Sequence, residues 1–594
     1  MTPAAALDAV IAAVEAEGER LRAEFYAPQG PRGRRGSCPL DREIEERLQA
    51  RLQALIPAQF CGEECAVTPG TRAGWVWLVD PHDGTFEYTA GRRGSAISVA
   101  LLNQGTPVLG IVHAPDAPDR GPDTIAWAEG AGPIRRNGAP VEVDLRNEVM
   151  KPGAIVWATA SSALKPEMWS RAVAPARYIA MPSIAYRLAR IAAGDGIATV
   201  STHSVNEYDI AAGMALVRAA GGVALDAQGH AIALAGNSER RVSGCFAGAP
   251  QAAAQLAKFD WSLLDTEPRR EPRLTLAFPR PSTGTWLARA QGALLGQIIG
   301  DSLGSRVELK PAAEIEKLYP GGLRELGDGG VYHTMAGQPT DDGEMALTLA
   351  RTLVREKKYD AEKVLDGYRA WLTSRPVDVG VTTERGLLGL VTTESESNGS
   401  LMRCSPIGIW AAGDPALAAR TARDDSVLTH SNPACLEACA AYCAAIAAGI
   451  AGASKDEMFD AAAAHAKGPA HEIVRRAAKG IAPTDFFTHQ GWVLLALQNA
   501  FWCLHALEFE EALVQTVGRG GDTDTNAAIA AALLGSFYGR EKIPARWISP
   551  VLACRPLAEA GALRPRPIEY WPDDVLELAE ALLLNRRLNS GPGS

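Results

Sequence analysis

The sequence predicts a multidomain protein with an N-terminal α/β part and an all-α C-terminal part. Three observations support this fold class. The chain has 594 residues, more than a single hydrophobic core usually accommodates. In the first half, an apolar run typical of a strand, residues 75–79, follows two helical patterns. From residue 286 onward, apolar residues recur at helical spacing and strand signals are nearly absent.

Composition and charge favour a folded protein without broad affinity for polyanions. Apolar residues make up 47% of the chain and charged residues 22%, which is ordinary for a globular protein. The net charge of −10 argues against broad binding to nucleic acids or anionic membranes. The N-terminus carries Asp8 and Glu15 within its apolar repeat and has no basic start, so we expect a cytoplasmic protein without a signal peptide or a membrane segment.

The first candidate site follows the predicted strand. Residues 4–25 and 41–55 have helical apolar spacing, and residues 75–79 lead directly into Asp80-Pro81-His82-Asp83-Gly84-Thr85. A rigid strand would deliver Asp80 with little freedom, Pro81 would force a turn, and Asp83 would return three residues later. Gly84 and Thr85 could then offer backbone N–H groups to a phosphate where a helix begins. These are the parts of a metal-assisted phosphatase, although a capped turn between strand and helix is the simpler alternative.

Further segments of the first half complete a recognisable pattern. They are Gly62-Glu63-Glu64, residues 107–112, Asn137-Gly138, residues 206–213 and residues 219–222. Over about residues 1–255 the chain resembles the inositol monophosphatase superfamily. The resemblance implies a layered α+β fold, two or three Mg²⁺ ions and a possible homodimer. The implied Mg²⁺ ligands are Glu63, Asp80, Asp83, Asp209 and the carbonyl of His82. The resemblance also implies that Asp41 helps to hold a further ion and the nucleophilic water, that Thr85 orients this water, and that the Gly84 and Thr85 amides hold the phosphate.

Departures from that pattern affect the expected substrate. Thr202 stands where inositol phosphatases carry an acidic residue for the sugar ring, and Tyr208 replaces the usual Trp. Residues 83–88 are more similar to the form found in 3′(2′),5′-bisphosphate nucleotidases. We therefore expect a phosphorylated nucleotide or sugar as substrate. This domain is predicted at residues 1–260, and residues 261–285, rich in proline and charge, are predicted to form a semi-rigid linker to a domain at 286–590.

The second candidate site lies near the end of the chain. Residues 520–525 place two carboxylates and two hydroxyls immediately before an Ala-rich helical run at 527–534. Inside a regular helix Asp522 and Asp524 would point about 200° apart. We therefore expect them on the turn before the helix, where Gly520 and Gly521 allow their oxygens to converge on a hard cation. Helix capping is the alternative, but it requires only one such residue.

A second acidic cluster supports the metal interpretation, because Thr340-Asp341-Asp342 also precedes a helical pattern. Further segments belong to one pattern with these two clusters. They are residues 292–296 and 300–304, Glu308, residues 398–403 with Pro406, residues 429–431, residues 491–494, and Ile543-Pro544 with Trp547. From about residue 286 onward the chain resembles the ADP-ribosylglycohydrolases. The resemblance implies two Mg²⁺ ions held by Thr340, Asp341, Asp342, Asp522, Asp524 and Thr525.

The same resemblance implies the remaining roles in this site. Glu308 would contact the ribose and act as the acid/base. Asn398, Gly399 and Arg403 would shape the pocket floor, with Gly520 and Gly521 beside the substrate. His430 would line the pocket, and a purely structural hydrogen-bonding role is an equal alternative for it. After Asp342 the family usually has Thr, whereas this chain has Gly343-Glu344, which removes a hydroxyl and could add a carboxylate.

Together these patterns lead to one functional hypothesis with alternatives. We expect a bifunctional Mg²⁺-dependent hydrolase. Its C-terminal domain would cleave the ribosyl bond of an ADP-ribosylated protein, nucleic acid or small molecule, and its N-terminal domain would hydrolyse a phosphomonoester. In the main alternative, the phosphatase-like domain is a non-catalytic binding module. A scaffold with both sites silent would require every acidic cluster to serve only as a helix cap. The leaving group at the ribose stays open.

Overall fold

The computed structural model describes residues 1–33, 36–237, 240–276, 278, 280 and 284–589. The chain divides into two compact units, Met1–Arg280 and Pro281–Ser594. The first unit is an α/β structure with three sheets, of seven, five and two strands, and the second is mostly helical. This confirms the fold class predicted from the sequence.

The first unit contains seven α-helices and fourteen strands among its described residues. The helices are α1 Pro3–Phe25, α2 Pro39–Leu55, α3 Thr85–Thr89, α4 Pro166–Val173, α5 Ile184–Ala192, α6 Glu207–Ala219 and α7 Pro250–Ala257. The strands are β1 Gln59–Gly62, β2 Trp75–Asp83, β3 Ala96–Asn103, β4 Thr106–Ala117, β5 Gly121–Ala128, β6 Arg135–Arg136, β7 Ala139–Pro140, β8 Ile155–Ala158, β9 Arg177–Ala180, β10 Ala198–Ser201, β11 Val205–Asn206, β12 Val223–Leu225, β13 Arg241–Val242 and β14 Cys245–Gly248.

Two sheets with helices between them form the core of this unit. The larger sheet runs in the order β1 to β7, and only its β1–β2 pair is parallel. The smaller has the order β12-β14-β10-β8-β9. Helices α1 and α2 bury their apolar faces on the larger sheet, while α5 and α6 contact both sheets. Asp80 and Asp83 therefore lie on an interior strand of the larger sheet, and Asp209 lies on α6, which contacts both sheets.

Strand β2 continues beyond the predicted strand and changes how the first site is built. We expected Pro81 to turn the chain after residue 79, but the strand continues to Asp83. Its register with β3 shifts between Asp80 and Asp83, as in a β-bulge. The reversal comes at Gly84, whose φ of 93° is left-handed and precedes α3. The bulge, not a proline turn, thus determines the spacing of the two carboxylates.

The predicted linker is partly folded onto the first unit. Residues Trp261–Thr266 form a 3₁₀-helix, and the Trp261 ring lies 4.9 Å from that of Trp169. The Lys165 ammonium donates to the Leu264 carbonyl. An apolar tryptophan gains more by packing than by exposure, so the first unit extends beyond residue 260. Residues 277, 279 and 281–283 of the predicted linker lie outside the described residues.

The second unit consists of helices joined by loops. They are α8 Gly284–Gly304, α9 Ala312–Leu318, α10 Asp341–Glu356, α11 Ala361–Thr373, α12 Val381–Leu387, α13 Ser405–Trp410, α14 Pro415–Ser426, α15 Pro433–Ile450, α16 Lys455–His465, α17 Gly468–Ala478, α18 Val493–Ala506, α19 Phe509–Gly518, α20 Thr523–Tyr538, α21 Ala545–Leu552 and α22 Val575–Asn589. By length and composition alone, α15 could cross a bilayer, but 78% of it is buried inside the protein, as in a core helix.

Helices α8 and α20 form the centre of this unit, in contact along a row of glycines. A Cβ on Gly296 would lie 2.7 Å from the Ala531 carbonyl oxygen, and one on Gly300 would lie 2.3 Å from that of Ala527. At the end of α8, the Thr523 hydroxyl donates to the Gly304 carbonyl at 2.8 Å. This close approach brings the last turn of α8 next to the first turn of α20, where the acidic residues lie.

Candidate active sites

Three helix ends meet at the acidic site of the second unit. Asp301 lies in the last turn of α8, Asp342 in the first turn of α10, and Asp524 in the first turn of α20. Helix α20 begins at Thr523, earlier than predicted, so Asp524 is helical and Asp522 is the residue before the helix. Because Asp522 is non-helical, the two carboxylates can face the same site.

Carboxylate oxygens converge here in two overlapping groups. One oxygen from each of Asp301, Asp342 and Asp524 lies within 4.8 Å of the others, and the same holds for Glu308, Asp522 and Asp524. Thr340 and Thr525 add hydroxyls, each 3.3 Å from Asp342 Oδ2.

Asp301 holds the start of α10 in place. Its carboxylate accepts the backbone N–H groups of Thr340 and Gly343 at 2.9 and 2.8 Å, and the Thr340 hydroxyl at 2.9 Å. A Cβ at position 343 would lie 2.8 Å from Asp301 Oδ2. At this position the family pattern has threonine. Glycine at 343 instead leaves room for the Asp301 carboxylate to approach closely.

The residues present fit divalent cations. Asp342 Oδ1 and Glu308 Oε2 are buried without a hydrogen-bond partner. Burying several carboxylates together costs much free energy unless positive charge compensates them. Oxygen-only donors of this kind suit hard cations such as Mg²⁺. Burial raises the pKa of Asp301 to about 7, and burial followed by the charges of neighbouring carboxylates raises the pKa of Asp342 and Asp524 well above the usual range.

Glu308 lies at the edge of this cluster. Burial raises its pKa to about 7, and the charges of Asp522 and Asp378 add to the increase. The Tyr332 hydroxyl hydrogen-bonds to Glu308, which opposes the increase. A carboxyl with this pKa is partly protonated at neutral pH, and it can therefore either donate or accept a proton.

Asp341 was predicted as a ligand but faces another side of the site. Its Oδ2 accepts the Gly380 backbone N–H at 3.3 Å, and after burial the charge of Asp378 is the largest factor that raises its pKa. Asp341 is absent from both groups of converging oxygens, which include Asp301 instead.

The residues predicted for the pocket floor divide into two sets. Asn398 donates its amide to Asp522 Oδ2 at 2.7 Å and so orients one candidate ligand. The Arg403 guanidinium is completely buried and engages Asp425 and Thr429, which leaves it unable to reach a ligand. The prediction of Arg403 as a substrate-binding residue is therefore corrected to a structural role, because a buried ion pair with Asp425 holds its guanidinium.

His430 and Gly399 also serve packing. Both ring nitrogens of His430 face hydroxyls, Thr429 at 2.8 Å and Ser397 at 3.0 Å, and burial lowers its pKa to about 3. A Cβ on Gly399 would lie 3.0 Å from this ring. Of the two roles left open for His430, the structure shows the hydrogen-bonding one.

Gly520 and Gly521 hold the turn before α20 against the chain after Glu308. Their φ values are 77° and 75°, which is the left-handed region. Gly521 donates its N–H to the Lys310 carbonyl at 3.0 Å and accepts the Leu309 N–H at 2.8 Å. These bonds place Glu308 beside Asp522.

The extra carboxylate at Glu344 does not join the site. Its two oxygens accept from the Arg566 guanidinium at 2.7 Å each, and one also accepts the Trp371 indole N–H at 2.8 Å. Two positions after Asp342 on a helix, Glu344 points away from the acidic site, so the expectation of an added ligand is wrong.

The sequence interpretation missed four residues at this site. Asp301 was read only as part of a helix motif, and Asp378 and Tyr332 lie in loops without a motif of their own. Trp492, whose indole donates to Glu396 at 2.7 Å, is 36% exposed beside Gly491, and a Cβ on that glycine would lie 3.9 Å from Asp522 Oδ2. Two of the four had an available signal: Asp301 is an acidic residue inside a Gly-rich helix, and Trp492 lies in the family pattern at residues 491–494.

In the first unit, the predicted ligands are positioned by backbone amides. Asp80 Oδ1 accepts the His82 N–H at 2.7 Å, Asp83 Oδ2 accepts the Ala185 N–H at 2.7 Å, and Asp209 Oδ2 accepts the Asn206 N–H at 2.8 Å. Burial, followed by the charges of Glu63, Asp83 and Asp209, raises the pKa of Asp80 well above its usual range. Burial raises the pKa of Glu63 to about 7, and Asp80 hydrogen-bonds to it. These four carboxylates therefore share one electrostatic site.

His82 and Asp41 interact through their side chains. His82 Nδ1 lies 2.8 Å from Asp41 Oδ1, and Nε2 lies 3.1 Å from the Ser95 hydroxyl. The Thr85 hydroxyl donates to the His82 carbonyl at 2.6 Å. The expected carbonyl and hydroxyl are thus adjacent. Asp41 Oδ1 faces an imidazole, and its Oδ2 accepts the Cys38 N–H at 3.2 Å.

Comparison with known proteins matches each unit to a family. Residues 282–591, more than half of the chain, match the sequence model of the ADP-ribosylglycohydrolase family, and residues 37–260 match that of the inositol monophosphatase family.

Individual relatives match one unit each. The ADP-ribosyl-[dinitrogen reductase] glycohydrolase of Rhodospirillum rubrum is 32% identical over 279 residues, which is 44% of this chain and 89% of the relative. The ADP-ribosylarginine hydrolase Tri1 of Pseudomonas putida is 27% identical over 45% of this chain and 74% of its own. The "Probable inositol 1-monophosphatase ImpA" of Mycobacterium tuberculosis is 30% identical over 38% of this chain and 83% of its own.

The acidic helix ends of the second unit and the carboxylates around β2 of the first lie in these matched regions. The chain belongs to the ADP-ribosylglycohydrolase family through its second unit and to the inositol monophosphatase family through its first.

Proposed function

We propose that the protein is a bifunctional Mg²⁺-dependent hydrolase with one active site in each unit. The second unit would release ADP-ribose from a modified arginine side chain, and the first would release phosphate from a phosphorylated nucleotide or sugar. The observation that carries the proposal is the convergence of Asp301, Asp342 and Asp524, with Glu308 beside them, in a region that matches the ADP-ribosylglycohydrolases.

The acid/base in the second unit is Glu308. Hydrolysis adds water to the anomeric carbon of the ribose and breaks the bond from that carbon to the leaving group, which must gain a proton. Burial raises the pKa of Glu308, which favours the neutral form that can supply this proton. Mg²⁺ held by Asp301, Asp342, Asp522 and Asp524 would supply Lewis-acid polarisation of bound oxygens. Tyr332 keeps the Glu308 carboxyl oriented through its hydroxyl.

Charge favours arginine as the leaving group. The charges of Asp522 and Asp378 both raise the pKa of Glu308, so two further carboxylates add negative charge around the acid/base. A guanidinium attached to the ribose carries positive charge and is attracted here, whereas a phosphate leaving group is repelled. Two relatives of this unit carry names for ADP-ribosylarginine or ADP-ribosyl-protein hydrolysis, which supports the same choice.

In the first unit, the carboxylates around β2 support phosphomonoester hydrolysis. Mg²⁺ held by Glu63, Asp80, Asp83 and Asp209 would neutralise the phosphate and activate a water. Thr85 contacts the His82 carbonyl and Asp41 contacts the His82 ring, and in this proposal Thr85 and Asp41 position that water. Thr202 in place of an acidic residue supports a substrate other than myo-inositol phosphate.

The direct test is an assay of the full-length protein with and without Mg²⁺. We expect ADP-ribose from ADP-ribosylarginine and inorganic phosphate from adenosine 3′,5′-bisphosphate, with both activities lost in EDTA and restored by Mg²⁺. ADP-ribosylserine and ADP-ribose-1″-phosphate are the comparison substrates for the leaving group. Failure to release ADP-ribose from all three substrates would refute the glycohydrolase half of the proposal.

A further inference from the structure

Residues 381–397 of the second unit expose an unusual number of large apolar side chains. Val381 is 71% exposed, Leu388 65%, Leu390 59% and Val391 43%. Single exposed apolar residues are normal on any protein, but a group on one short segment indicates an interaction surface.

Both ends of this segment are fixed on the acidic site. Immediately before it, the Gly380 N–H donates to Asp341 at 3.3 Å, and immediately after it, the Asn398 amide donates to Asp522 at 2.7 Å. The Thr382 and Ser395 hydroxyls, 2.9 Å apart, join the two ends of the segment to each other. The segment therefore projects from the rim of the site.

Further contacts hold the segment in one conformation. Leu387 is buried, and its carbonyl accepts from the Arg369 guanidinium at 3.1 Å. The Thr392 carbonyl accepts the Ser431 hydroxyl at 3.0 Å, and that of Thr393 accepts the Asn432 amide at 2.7 Å. A preformed apolar surface loses little entropy when a partner binds.

The charge of the segment selects the class of partner. Glu384, Glu394 and Glu396 are exposed, and Arg385 is the one basic residue between 381 and 397. An acidic surface repels the phosphates of a nucleic acid and attracts a protein surface with basic residues around a modified arginine. Glu396 also bonds to Trp492, so this charge reaches the rim of the site itself.

We propose that residues 381–397, named here the rim segment, dock the folded protein that carries the ADP-ribosylated arginine, through apolar contacts and acidic complementarity. The proposal rests on the proposed glycohydrolase function of the second unit. It adds that the substrate is a protein recognised beyond its ADP-ribose group, rather than a free small molecule or a nucleic-acid end.

The test compares two substrates on the full-length protein with Mg²⁺. One is hen lysozyme mono-ADP-ribosylated on arginine, and the other is ADP-ribosylarginine. The first variant carries Leu388→Ser, Leu390→Ser and Val391→Ser together, and the second carries Glu384→Lys with Glu394→Lys. The matched control is Leu318→Ser, at a residue 51% exposed at the end of α9.

We expect both rim variants to lower kcat/KM for modified lysozyme about tenfold or more. Their kcat/KM for ADP-ribosylarginine should stay within about twofold of wild type, which also shows that the variants are folded, and Leu318→Ser should change neither value. Equal effects on the two substrates would overturn the docking proposal. So would wild-type preference for an ADP-ribosylated DNA end over lysozyme. If wild type hydrolyses neither arginine-linked substrate, the proposed function itself fails and the docking proposal with it.

Discussion

At the scale of single residues, the second site depends on carboxyl groups whose surroundings change their acidity. Glu308 and Asp301 both have pKa values raised to about 7 by burial. Their roles differ because their partners differ. Asp301 accepts three hydrogen bonds from the start of α10, whereas Glu308 retains an oxygen without a partner. Glu308 is therefore free to exchange a proton, and Asp301 is a positioning residue and candidate ligand.

Replacing Glu308 with glutamine should remove catalysis while keeping the shape of the site. We expect Glu308→Gln to lower kcat for ADP-ribosylarginine by about 10²–10⁴-fold, the usual contribution of a general acid or base. Calorimetric titration should still detect Mg²⁺ binding, because Asp301, Asp342 and Asp524 remain. Glu314→Gln, at an exposed glutamate of α9, is the control. A Glu308→Gln variant with wild-type kcat would exclude this residue as the acid/base.

The raised pKa values also predict how Mg²⁺ affinity depends on pH. A cation binds the ionised carboxylates, so protons compete with it below a pKa of about 7. Mg²⁺ affinity should therefore rise from pH 6 to pH 8, by up to about tenfold per pH unit for each proton released. Calorimetry at three pH values measures this slope directly. An affinity that is constant or falls over this range would contradict the assigned pKa directions.

The sequence predicted most of the residues at this site but not the direction of every side chain. Asp522 and Asp524 could be recognised because their motif lies next to a helix boundary, and Glu308 through the resemblance to the family. Arg403 and Glu344 were misjudged, because their buried partners, Asp425 and Arg566, are remote in sequence. Asp378 lies in a loop whose position depends on the fold of the whole unit, which no local pattern encodes.

At the scale of elements, the contact between α8 and α20 determines the geometry of the second site. Gly300 is one residue before Asp301, and Ala527 is three residues after Asp524. The 2.3 Å between a Cβ at Gly300 and the Ala527 carbonyl oxygen leaves no room for a side chain. Separation of these helices would therefore pull Asp301 away from Asp524.

Gly300→Ala should consequently weaken both folding and metal binding. We expect the free energy of unfolding of the second unit to fall by about 1–3 kcal/mol, with lower Mg²⁺ affinity, because the helix backbones must move apart. Gly518→Ala is the matched control: Gly518 is the last residue of α19, and a Cβ there would meet nothing within 4 Å. The control should be neutral or stabilising by up to about 1 kcal/mol. Urea unfolding and calorimetry test both variants, and equal behaviour would refute the close-packing argument.

Helix periodicity predicted helices well, and the strand at the first site less well. Apolar spacing at residues 4–25 and 41–55 located α1 and α2 to within two residues. The extension of β2 to Asp83 was missed because Pro81 in the sequence favours a turn, whereas the paired strand β3 supports a bulge instead. Pairing with a distant strand overrode the local signal.

At the scale of the whole molecule, each candidate site is complete within one unit. The carboxylates of the first site lie between Asp41 and Asp209, and those of the second lie between Asp301 and Asp524. Both families could be recognised from the sequence because each pattern occupies one continuous stretch. The linker was predicted to begin too early, since the packing of Trp261 against Trp169 depends on tertiary structure. Two self-contained sites predict two activities that can be removed separately.

The central claim is tested most directly by measuring the release of ADP-ribose and of inorganic phosphate separately, in wild type, Asp83→Asn and Asp522→Asn, with Mg²⁺ present. The substrates are ADP-ribosylarginine, adenosine 3′,5′-bisphosphate and inositol phosphate, each of which can yield only one of the two products. We predict that Asp83→Asn abolishes phosphate release from the phosphomonoesters alone, and that Asp522→Asn abolishes ADP-ribose release alone. If wild type releases ADP-ribose but never phosphate, the first unit is a binding module. If either substitution abolishes both products, the two sites are not independent.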